Sequence, residues 1–532
     1  MFQVMFGRVA VVAVMLSFAS AQVNAEPENY LQGEEPTASA AQDTGIAVAA
    51  DAERKKVAAP ESASASPHAE PEPAPPKPVV ADTAALDTGA DNETAETVPA
   101  AKQPTYRAVT IVAAGDTGFG SSGARVSPVS GIRQGARYPF KVMSRGIAGL
   151  IDGDINFANL ETVVTDSNGL RPLPKAFNFR THPAGVRHLI DIGFNLFSLA
   201  NNHAIDYGRA GVAATLSAMQ TMPTDRVLAS AGLGANLEDA LTPRKFAHKG
   251  FRFAFSAIGI GAGGARSRLR PTDNRPGQLS YSSPYDYPAV SERLGSVGNA
   301  YRILSVHTGA ERSVRPRRFD VRRMRDLSVV SHGVDLVIGH HAHVVQGLQI
   351  VDGRLILYGL GNFLHPGMAN MARFGRCRDY GLVARVHLLS KDDGPLQLAA
   401  VEAVPITNMH VAPRQMSPAV GRKRIAVLNG LARRLDDVET GAQGVRFHVR
   451  QDGTGLYCGT LGSKLPTAVG GACRQLGQAT AVNARAVSCG SAAPVRAVRY
   501  RKRSYRRYRG YRRRAANRGA PRPRWQRNFF RN

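Results

Sequence analysis

Short apolar and β-branched runs alternate with helical segments between residues 105 and 440. The first run, 107–114, predicts a strand that Gly115 and Asp116 follow directly. Further strands are predicted at 155–160, 194–200, 251–260, 301–307, 335–339, 344–351, 354–358 and 380–389, and helices at 181–193, 208–219 and 316–331, with a strand–helix unit around 227–241. This alternation is typical of an α/β domain with a largely parallel sheet at its core.

The first 25 residues have the pattern of an export signal. Arg8 precedes an apolar run, 9–19, that only Ser17 interrupts, and residues 23–25 (Val-Asn-Ala) fit a small-x-small cleavage site. Because the run is short for a membrane span, we expect a cleaved signal at 1–25; the alternative is an uncleaved N-terminal anchor. Both interpretations predict export of the remaining chain to the periplasm, the cell envelope or the exterior.

Charge is unevenly distributed over the 532 residues, whose formal net charge is +27. Residues 26–104 carry 15 acidic and 5 basic side chains and few large apolar ones, which predicts a disordered Ala/Pro/acidic linker. Residues 496–532 carry 16 basic side chains and no acidic ones, with arginine and tyrosine interleaved. We expect this disordered basic tail to bind an anionic polymer or an anionic membrane or cell-wall surface. A merely solvated tail is the alternative, and export makes nucleic acid an unlikely partner.

Composition excludes several classes of protein. No apolar run of about 20 residues recurs, so a multispan membrane protein is excluded. The four cysteines, Cys377, Cys458, Cys473 and Cys489, show no paired C-x-x-C spacing, which argues against a redox protein or a zinc finger. In an exported chain they predict two disulfides, and the sequence leaves three pairings open. Three of them lie in 441–495, which we predict to be a small cysteine-containing appendage.

Polar side chains follow five of the predicted strands. They are Asp116; Asn159 and Glu161; Asn201, Asn202, His203 and Asp206; His307 and Glu311; and His340, His341 and His343. Because functional groups of α/β proteins collect at the carboxyl ends of strands, we expect these side chains to converge. Imidazole and carboxylate ligands suit Zn, Mn or Fe better than Ca. The sequence therefore predicts one or two divalent metal ions; purely structural histidines are the alternative.

The motifs that carry these residues occur in a recognisable order. They are AAGDTGFG around Asp116, NLE at 159–161, NNHAIDYG at 201–208, HTGAE at 307–311, GHHAH at 339–343 and YGLGNF at 358–363. Over roughly residues 107–410 this order resembles the CapA family, the poly-gamma-glutamate capsule biosynthesis proteins. The resemblance implies that 105–440 is a four-layer α/β/β/α sandwich of the metallophosphoesterase type. It also implies a role beside capsule synthesis and export machinery.

The resemblance further implies roles for single residues. Metal ligands are expected at six positions: Asp116, Glu161, Asn202, His307, His341 and His343. Glu161 takes the place of the bridging carboxylate. His203 is expected to be the general acid, oriented by Asp206. His340 is ambiguous, because the double histidine leaves the register of the His-x-His pair open.

The chain also departs from the resembled pattern. A metallophosphoesterase usually begins with Asp-x-His, but Gly118 stands where that histidine is expected. Thr308 and Arg312 stand where the family commonly has aromatic residues, which affects the expected substrate pocket. The metal shell is expected to be nearly complete without the missing histidine.

Two residues are candidates for contact with a substrate. Glu311 is expected either to bind a substrate amine or to hold His307. Asn362 is expected either to approach the site or to hold a turn after a strand. The leading hypothesis is a metal-dependent hydrolase of a phosphoester or a polymer amide. The alternative is a non-catalytic envelope factor that binds or exports the polymer and is tethered by its basic tail.

Overall fold

The computed structural model describes residues 103–147, 149–261, 269–368, 371–477, 486–487 and 489. These residues belong to one compact unit, 98–532. The predicted signal at 1–25, nearly all of the predicted linker and the whole basic tail lie outside the described residues. Among the residues described, no helix is both long enough and apolar enough to cross a membrane.

The strands of the described residues follow in chain order. They are β1 (Tyr106–Thr117), β2 (Ser130–Arg133), β3 (Ala136–Pro139), β4 (Ile155–Leu160), β5 (Val163–Val164), β6 (Arg180–Thr181), β7 (Leu196–Ser198), β8 (Ala229–Ala231), β9 (Leu233–Gly234), β10 (Arg244–His248), β11 (Phe251–Gly259), β12 (Gly277–Gln278), β13 (Tyr301–His307), β14 (Leu336–His340), β15 (Leu348–Val351), β16 (Arg354–Leu357), β17 (Asn362–Leu364), β18 (Gly381–Lys391), β19 (Gln397–Thr407), β20 (Arg414–Gln415), β21 (Gln443–Gly444), β22 (His448–Val449) and β23 (Gly455–Cys458).

The helices of the described residues lie between these strands, except α8, which follows β23. They are α1 (Phe140–Met143), α2 (Pro183–Asp191), α3 (Gly208–Gln220), α4 (Leu237–Leu241), α5 (Asp286–Gly295), α6 (Arg318–Val321), α7 (Pro418–Ala432) and α8 (Ala468–Gly477). A π-helix, Arg322–Ser331, continues α6, and 3₁₀ turns lie at Met371–Phe374 and Gly462–Lys464. The helix predicted over 316–331 is therefore an α-helical turn followed by π-helix.

Two large sheets organise the described strands. The ten-stranded sheet has the order β22-β23-β19-β18-β1-β4-β7-β8, with β17 added beside β1 and β20 beside β19. The seven-stranded sheet has the order β10-β11-β13-β14-β16-β15-β21. Each contains four consecutive parallel strands, β1, β4, β7 and β8 in the first and β11, β13, β14 and β16 in the second. The predicted α/β fold is confirmed.

The core follows the two-residue period of these strands. Along β1, Ile111 and Ala113 belong to a cluster shared by both large sheets, whereas Val112 and Ala114 pack with α2 and α3. Phe157 of β4 and Phe255 of β11 meet edge to face, 6.1 Å apart. On the far side of the seven-stranded sheet, β11 and β13 pack against α5 and the π-helix. Burial on both faces explains why these strands are continuous apolar runs in the sequence.

Local signals set two of the element boundaries. Pro183 opens α2, where no N–H is required, and the ring of His182 accepts a hydrogen bond from Ala184 N at 3.1 Å. The hairpin predicted at Asp352 and Gly353 joins β15 to β16, and both residues have positive φ, +49° and +71°. Such φ values suit the right-handed twist of a two-residue hairpin.

The cysteines form two disulfides, Cys377–Cys489 and Cys458–Cys473. Part of the segment expected to form an appendage instead extends the ten-stranded sheet, because β23 pairs with β19 in antiparallel register. Val487 N also donates to Ala426 O in α7 at 2.7 Å. The described part of 441–495 therefore packs against the ten-stranded sheet and α7. β23 contributes only four residues and pairs with a strand far away along the chain.

Candidate metal centre

Ligand-type side chains from both large sheets lie at the carboxyl ends of parallel strands. Asp116 lies in β1, Glu161 follows β4, Asn202 and His203 follow β7, His307 ends β13, and His340 ends β14. His307 and His340 are neighbours in the register of the seven-stranded sheet. The expected convergence on the strand ends is therefore present.

Asp116 is fully buried, and its backbone is fixed by a close approach. Its N–H donates to the carbonyl oxygen of Gly361 at 3.1 Å, and a Cβ at position 115 would lie 1.9 Å from that oxygen. Only glycine therefore fits at position 115. Asn159 Nδ2, on the adjacent strand, donates to Asp116 Oδ1 at 2.8 Å. The other oxygen, Oδ2, lies 3.1 Å from His343 Nδ1.

Glu161 lies at the centre of a ring of imidazoles. Its Oε2 is 3.3 Å from His365 Nε2 and 3.8 Å from His343 Nδ1, and its Oε1 is 3.5 Å from His307 Nε2 and 3.9 Å from His203 Nε2. Neither oxygen has a hydrogen-bond partner of good geometry among the described residues. A buried carboxylate in this state requires compensation by positive charge.

His307 is held between two amides. Its Nδ1 lies 3.1 Å from Asn159 Nδ2, and its Nε2 lies 2.7 Å from Asn202 Oδ1. The interpretation that Glu311 holds His307 is therefore wrong, because both ring nitrogens face amides and Glu311 is exposed. A contact between Glu311 and a substrate stays a prediction.

The turn after β14 directs two more imidazoles toward Glu161. His341 and His343 have positive φ, +89° and +56°, which is unfavourable for residues other than glycine and is common at functional sites. One ligand atom each of Glu161, His341 and His343 lie within 4.8 Å of one another. This arrangement favours the His341-x-His343 register of the double histidine.

His340 lies near one carboxylate oxygen of Asp116, Oδ1, whereas His343 lies near the other, Oδ2. His340 Nδ1 is 3.7 Å from Asp116 Oδ1, and the His340 ring stacks on Phe157 at 5.4 Å. Neither of its ring nitrogens has a hydrogen-bond partner among the described residues. Burial lowers the pKa of His340 to about 4, so this ring is neutral at physiological pH.

The charges of the cluster are strongly coupled. Burial opposes ionisation of Glu161, but electrostatic interaction with the neighbouring His343 and His307 holds the pKa of Glu161 well below the usual value. Burial also opposes protonation of His343, but Glu161 and Asp116 raise the pKa of His343 to about 10. Burial and the neighbouring His307 and His343 keep the pKa of His341 well below its usual value. The centre therefore contains ionised carboxylates, a neutral His341 and a protonated His343.

His203 and Asp206 form the pair that the sequence predicts. His203 Nδ1 lies 2.8 Å from Asp206 Oδ2, and the backbone N–H of Phe179 donates to the same oxygen. Lys175, which sequence analysis missed, makes an ion pair with Asp206 and donates to the carbonyl of Asn202 at 2.9 Å. With Nδ1 engaged, His203 directs Nε2 toward Glu161.

Asn201 and Asn362 have supporting contacts. Asn201 Nδ2 donates to the carbonyl of Leu160 at 2.7 Å, and its Oδ1 accepts from the backbone N–H of His203. Asn362 is buried in β17 beside Asp116, and its Oδ1 lies 2.9 Å from His343 Nδ1. Asn362 therefore approaches the site and does not hold a turn. Its contact with a substrate stays a prediction.

His365 is a further residue that sequence analysis missed. It follows β17, is buried, and lies 5.6 Å from the His343 ring, centroid to centroid. The available signal was its position two residues after the GNF motif, at the end of a strand that pairs in parallel with β1. That pairing joins residues far apart in the chain.

The donor set fits a divalent transition-metal ion. Three residues of the cluster carry buried atoms without hydrogen-bond partners among the described residues: both oxygens of Glu161, Nδ1 of His341 and both ring nitrogens of His365. Native proteins rarely leave such groups unpaired unless an ion or water completes the site. Imidazole nitrogen with carboxylate oxygen is a donor set of Zn, Mn or Fe.

Comparison with known proteins connects this centre to one family. Residues 110–366, which contain every ligand candidate named above, match the family model described as bacterial capsule synthesis protein PGA_cap. PGA biosynthesis protein CapA of Bacillus subtilis (strain 168) is 27% identical over 249 residues, which are 46% of this chain and 60% of that protein.

Two further relatives also match this chain. Capsule biosynthesis protein CapA of Bacillus anthracis is 26% identical over 304 residues, 55% of this chain and 67% of that protein. A protein of Mycobacterium tuberculosis (strain ATCC 25618 / H37Rv), named as a probable polyglutamine synthesis accessory protein, is 28% identical over 214 residues, 39% of this chain and 55% of that protein. The chain thus spans between about half and two thirds of the length of these relatives.

Proposed function

We propose, because this chain belongs to the CapA family, that it takes part in the biosynthesis of a capsule or cell-envelope polymer of the poly-gamma-glutamate type. Its central domain acts in that process as a metal-dependent hydrolase of a phosphoester or of a polymer amide. The domain has the layer order α/β/β/α of the metallophosphoesterase type, as the three apolar clusters on and between the two large sheets suggest.

One observation carries the proposal. Imidazoles surround two buried carboxylates, Asp116 and Glu161, and several polar atoms of this cluster have no hydrogen-bond partner among the described residues. A histidine–aspartate pair adjoins the cluster. A core stabilised only by packing would not retain so many unpaired polar atoms, because each costs about 1–3 kcal/mol. The arrangement is that of a metal-assisted hydrolase.

The ligands of this centre are Asp116, Glu161, Asn202, His307, His341 and His343. A Zn, Mn or Fe ion bound there supplies Lewis acidity and lowers the pKa of water. Because metal ligands must be deprotonated, His343 releases its proton when the centre is loaded. Asn159 and Asn362 hold the side chains of Asp116 and His343 in place.

His203 is the general acid in this proposal. Nδ1–H donates to Asp206 Oδ2, so the protonated, cationic ring carries its second proton on Nε2, from which it passes to the leaving group. The Phe179 amide and Lys175 fix the carboxylate of Asp206 from two directions. Phe179 also covers the His203 ring at 4.3 Å between centroids, which limits its rotation.

We also propose where the protein works and what it contacts. Residues 1–25 direct export, and the arginine- and tyrosine-rich tail, 496–532, binds an anionic polymer or an anionic membrane or cell-wall surface. Capsule synthesis or export machinery is a further partner. The positively charged tail brings the hydrolase to a negatively charged substrate.

Metal content and turnover of the purified protein test the proposal. We expect one or two equivalents of Mn, Fe or Zn by elemental analysis, and hydrolysis of an aryl phosphodiester or of poly-gamma-glutamate. His203→Asn should keep the metal and reduce turnover about 10²–10⁴-fold, the usual contribution of a general acid. His188→Asn is the matched control, since His188 contacts Ser144 in a different part of the fold.

Other outcomes would overturn specific parts. A protein that takes up no metal contradicts the metal centre. A protein that binds metal but hydrolyses neither substrate contradicts the hydrolase. If that protein instead binds poly-gamma-glutamate and the binding weakens as salt is added, the non-catalytic polymer-binding role replaces the proposed hydrolase.

A further inference from the structure

We propose that His365 is a ligand of the bound metal ion and takes the place of the histidine that is absent at Gly118. The proposal rests on the metal centre proposed above. It adds a residue that directly follows β17, a strand that supplies no ligand to that centre. It concerns this chain's own donor atoms and not the identity of the ion.

The first step is the position of His365. Its Nε2 lies 3.3 Å from Glu161 Oε2, and the side chain is 3% exposed. Its ring packs against Phe179 at 5.2 Å and His343 at 5.6 Å, both edge to face. The ring therefore lies beside the carboxylate at the centre of the cluster, and aromatic neighbours on two sides restrict its rotation.

The second step is the absence of other partners. Neither ring nitrogen of His365 has a hydrogen-bond partner of good geometry among the described residues. An imidazole has two polar nitrogens, and burying one without a partner is costly. His387, a buried histidine of the same domain, shows the ordinary solution: its Nδ1 lies 3.1 Å from Thr110 Oγ1 and its Nε2 lies 3.0 Å from Glu402 Oε2. A metal ion as partner would explain why the ring nitrogens of His365 are buried without a hydrogen bond.

The third step connects His365 to Gly118. Strand β17 runs parallel to β1, with Thr117 opposite Leu364, and Gly118 N donates to Leu364 O at 2.8 Å. Residues 118 and 365 therefore leave neighbouring strands at the same level. A histidine side chain from either strand starts beside Glu161, since a Cβ at 118 would lie 3.9 Å from the Glu161 carbonyl oxygen.

The last step is whether the exchange is sterically possible. A Cβ at position 118 would have Thr162 Cβ as its nearest neighbour, at 3.7 Å, which is ordinary van der Waals contact. Gly118 is not among the glycines with positive φ. A Cβ at 118 is therefore tolerated, which makes a relocated ligand testable.

The experiment compares the full chain with three variants: His365→Ala, Gly118→His/His365→Ala and Gly118→Ala/His365→Ala. Each is titrated with Mn²⁺ and Zn²⁺, and the absorption spectrum of the Co²⁺-loaded protein is recorded. We expect His365→Ala to lose at least about tenfold in metal affinity, the lower bound for residues that support a metal site. We expect its Co²⁺ ligand-field bands to shift, because one nitrogen donor is lost.

The double variants separate a ligand from a residue that only positions Glu161. Histidine at 118 should restore most of the lost affinity and return the Co²⁺ bands toward those of the unchanged protein, whereas alanine at 118 should not. His387→Ala is the control for loss of a buried histidine elsewhere. Circular dichroism of each variant verifies that it is folded.

Three results overturn the inference, and they are distinguishable. If the unchanged protein binds no metal, the proposed centre and this inference both fall. If the unchanged protein binds metal and folded His365→Ala binds it equally, with unaltered Co²⁺ bands, only the inference falls. A loss in His365→Ala that histidine at 118 leaves uncorrected assigns His365 to positioning Glu161 and overturns its role as a ligand.

Discussion

The two sheets contribute different chemistry to the same centre. The ten-stranded sheet and its loops supply both carboxylates, the amides and two imidazoles, namely Asp116, Glu161, Asn159, Asn201, Asn202, Asn362, His203 and His365, whereas the seven-stranded sheet and its loops supply only imidazoles, namely His307, His340, His341 and His343. The carboxylates of the centre therefore lie on one sheet, and most of its imidazoles lie on the other. Neither sheet contains the complete donor set.

The two halves are also held differently. In the carboxylate half, amides form a connected network, because Asn201 Nδ2 lies 3.3 Å from Asn159 Oδ1 and Asn159 donates to Asp116. In the imidazole half, the backbone fixes the direction of the rings, because His341 and His343 have positive φ. We infer that the carboxylate half supplies most of the attraction for a cation, while the imidazole half determines which cation fits.

The largest effect is expected for the charge of the carboxylate half. Asp116→Asn keeps the shape of the side chain and removes a buried charge together with a metal donor. His341→Asn removes only a neutral donor, and asparagine tolerates positive φ. We expect metal affinity, measured by titration with Mn²⁺, to fall by more than about 100-fold for Asp116→Asn and by less for His341→Asn. An equal loss in the two variants would refute the division of roles between the halves.

An intermediate effect is expected for the amide network. Asn159 contacts both Asp116 Oδ1 and His307 Nδ1, so it is one of the side chains that link the two halves. Asn159→Ala should lower metal affinity by about 10–100-fold without removing a ligand, because residues that orient ligands usually contribute this much. Asn195→Ala is the control, since Asn195 bonds the backbone of Asp154 and Asn156 on the same sheet. An unchanged affinity would show that the centre is rigid without the network.

The smallest effect is expected for His340. Its ring is neutral, stacks on Phe157 and has two unpaired nitrogens, so a phenyl ring of similar shape removes an unfavourable burial. His340→Phe should retain the metal stoichiometry and change the free energy of unfolding by less than about 1.5 kcal/mol. Loss of one metal equivalent would make His340 a ligand and would shift the double histidine to the other register.

Sequence patterns predict most of the elements that carry the site. Apolar runs place the parallel strands well, because strands buried on both faces leave continuous apolar segments such as β4 and β13. Apolar runs do not predict a strand correctly where the strand forms because of its pairing partner rather than because of its own composition. The segment 344–351 is predicted as one strand, but only β15 is strand, because Val344 and Val345 belong to the turn region that carries His343 and are buried in the shared core.

The centre is predicted in part, and for a physical reason. Motif spacing identifies ligand types at strand ends, so Asp116, Glu161 and the histidines that follow β13 and β14 are found from the chain alone. Lys175 and His365 escape, because neither lies in a motif at the end of a predicted strand. Their positions beside His203 and Glu161 depend on how loops and the short strand β17 pack. Sequence spacing carries no information on such contacts.

The Cys377–Cys489 disulfide has a consequence for covalent connectivity. It closes a loop of the chain with a sequence separation of 112, and the basic segment 496–532 begins just beyond it. A single proteolytic cut anywhere inside that loop would therefore leave the basic segment attached to the domain, and the two fragments would separate only after reduction. Nicked and intact molecules would be indistinguishable by mass under non-reducing electrophoresis.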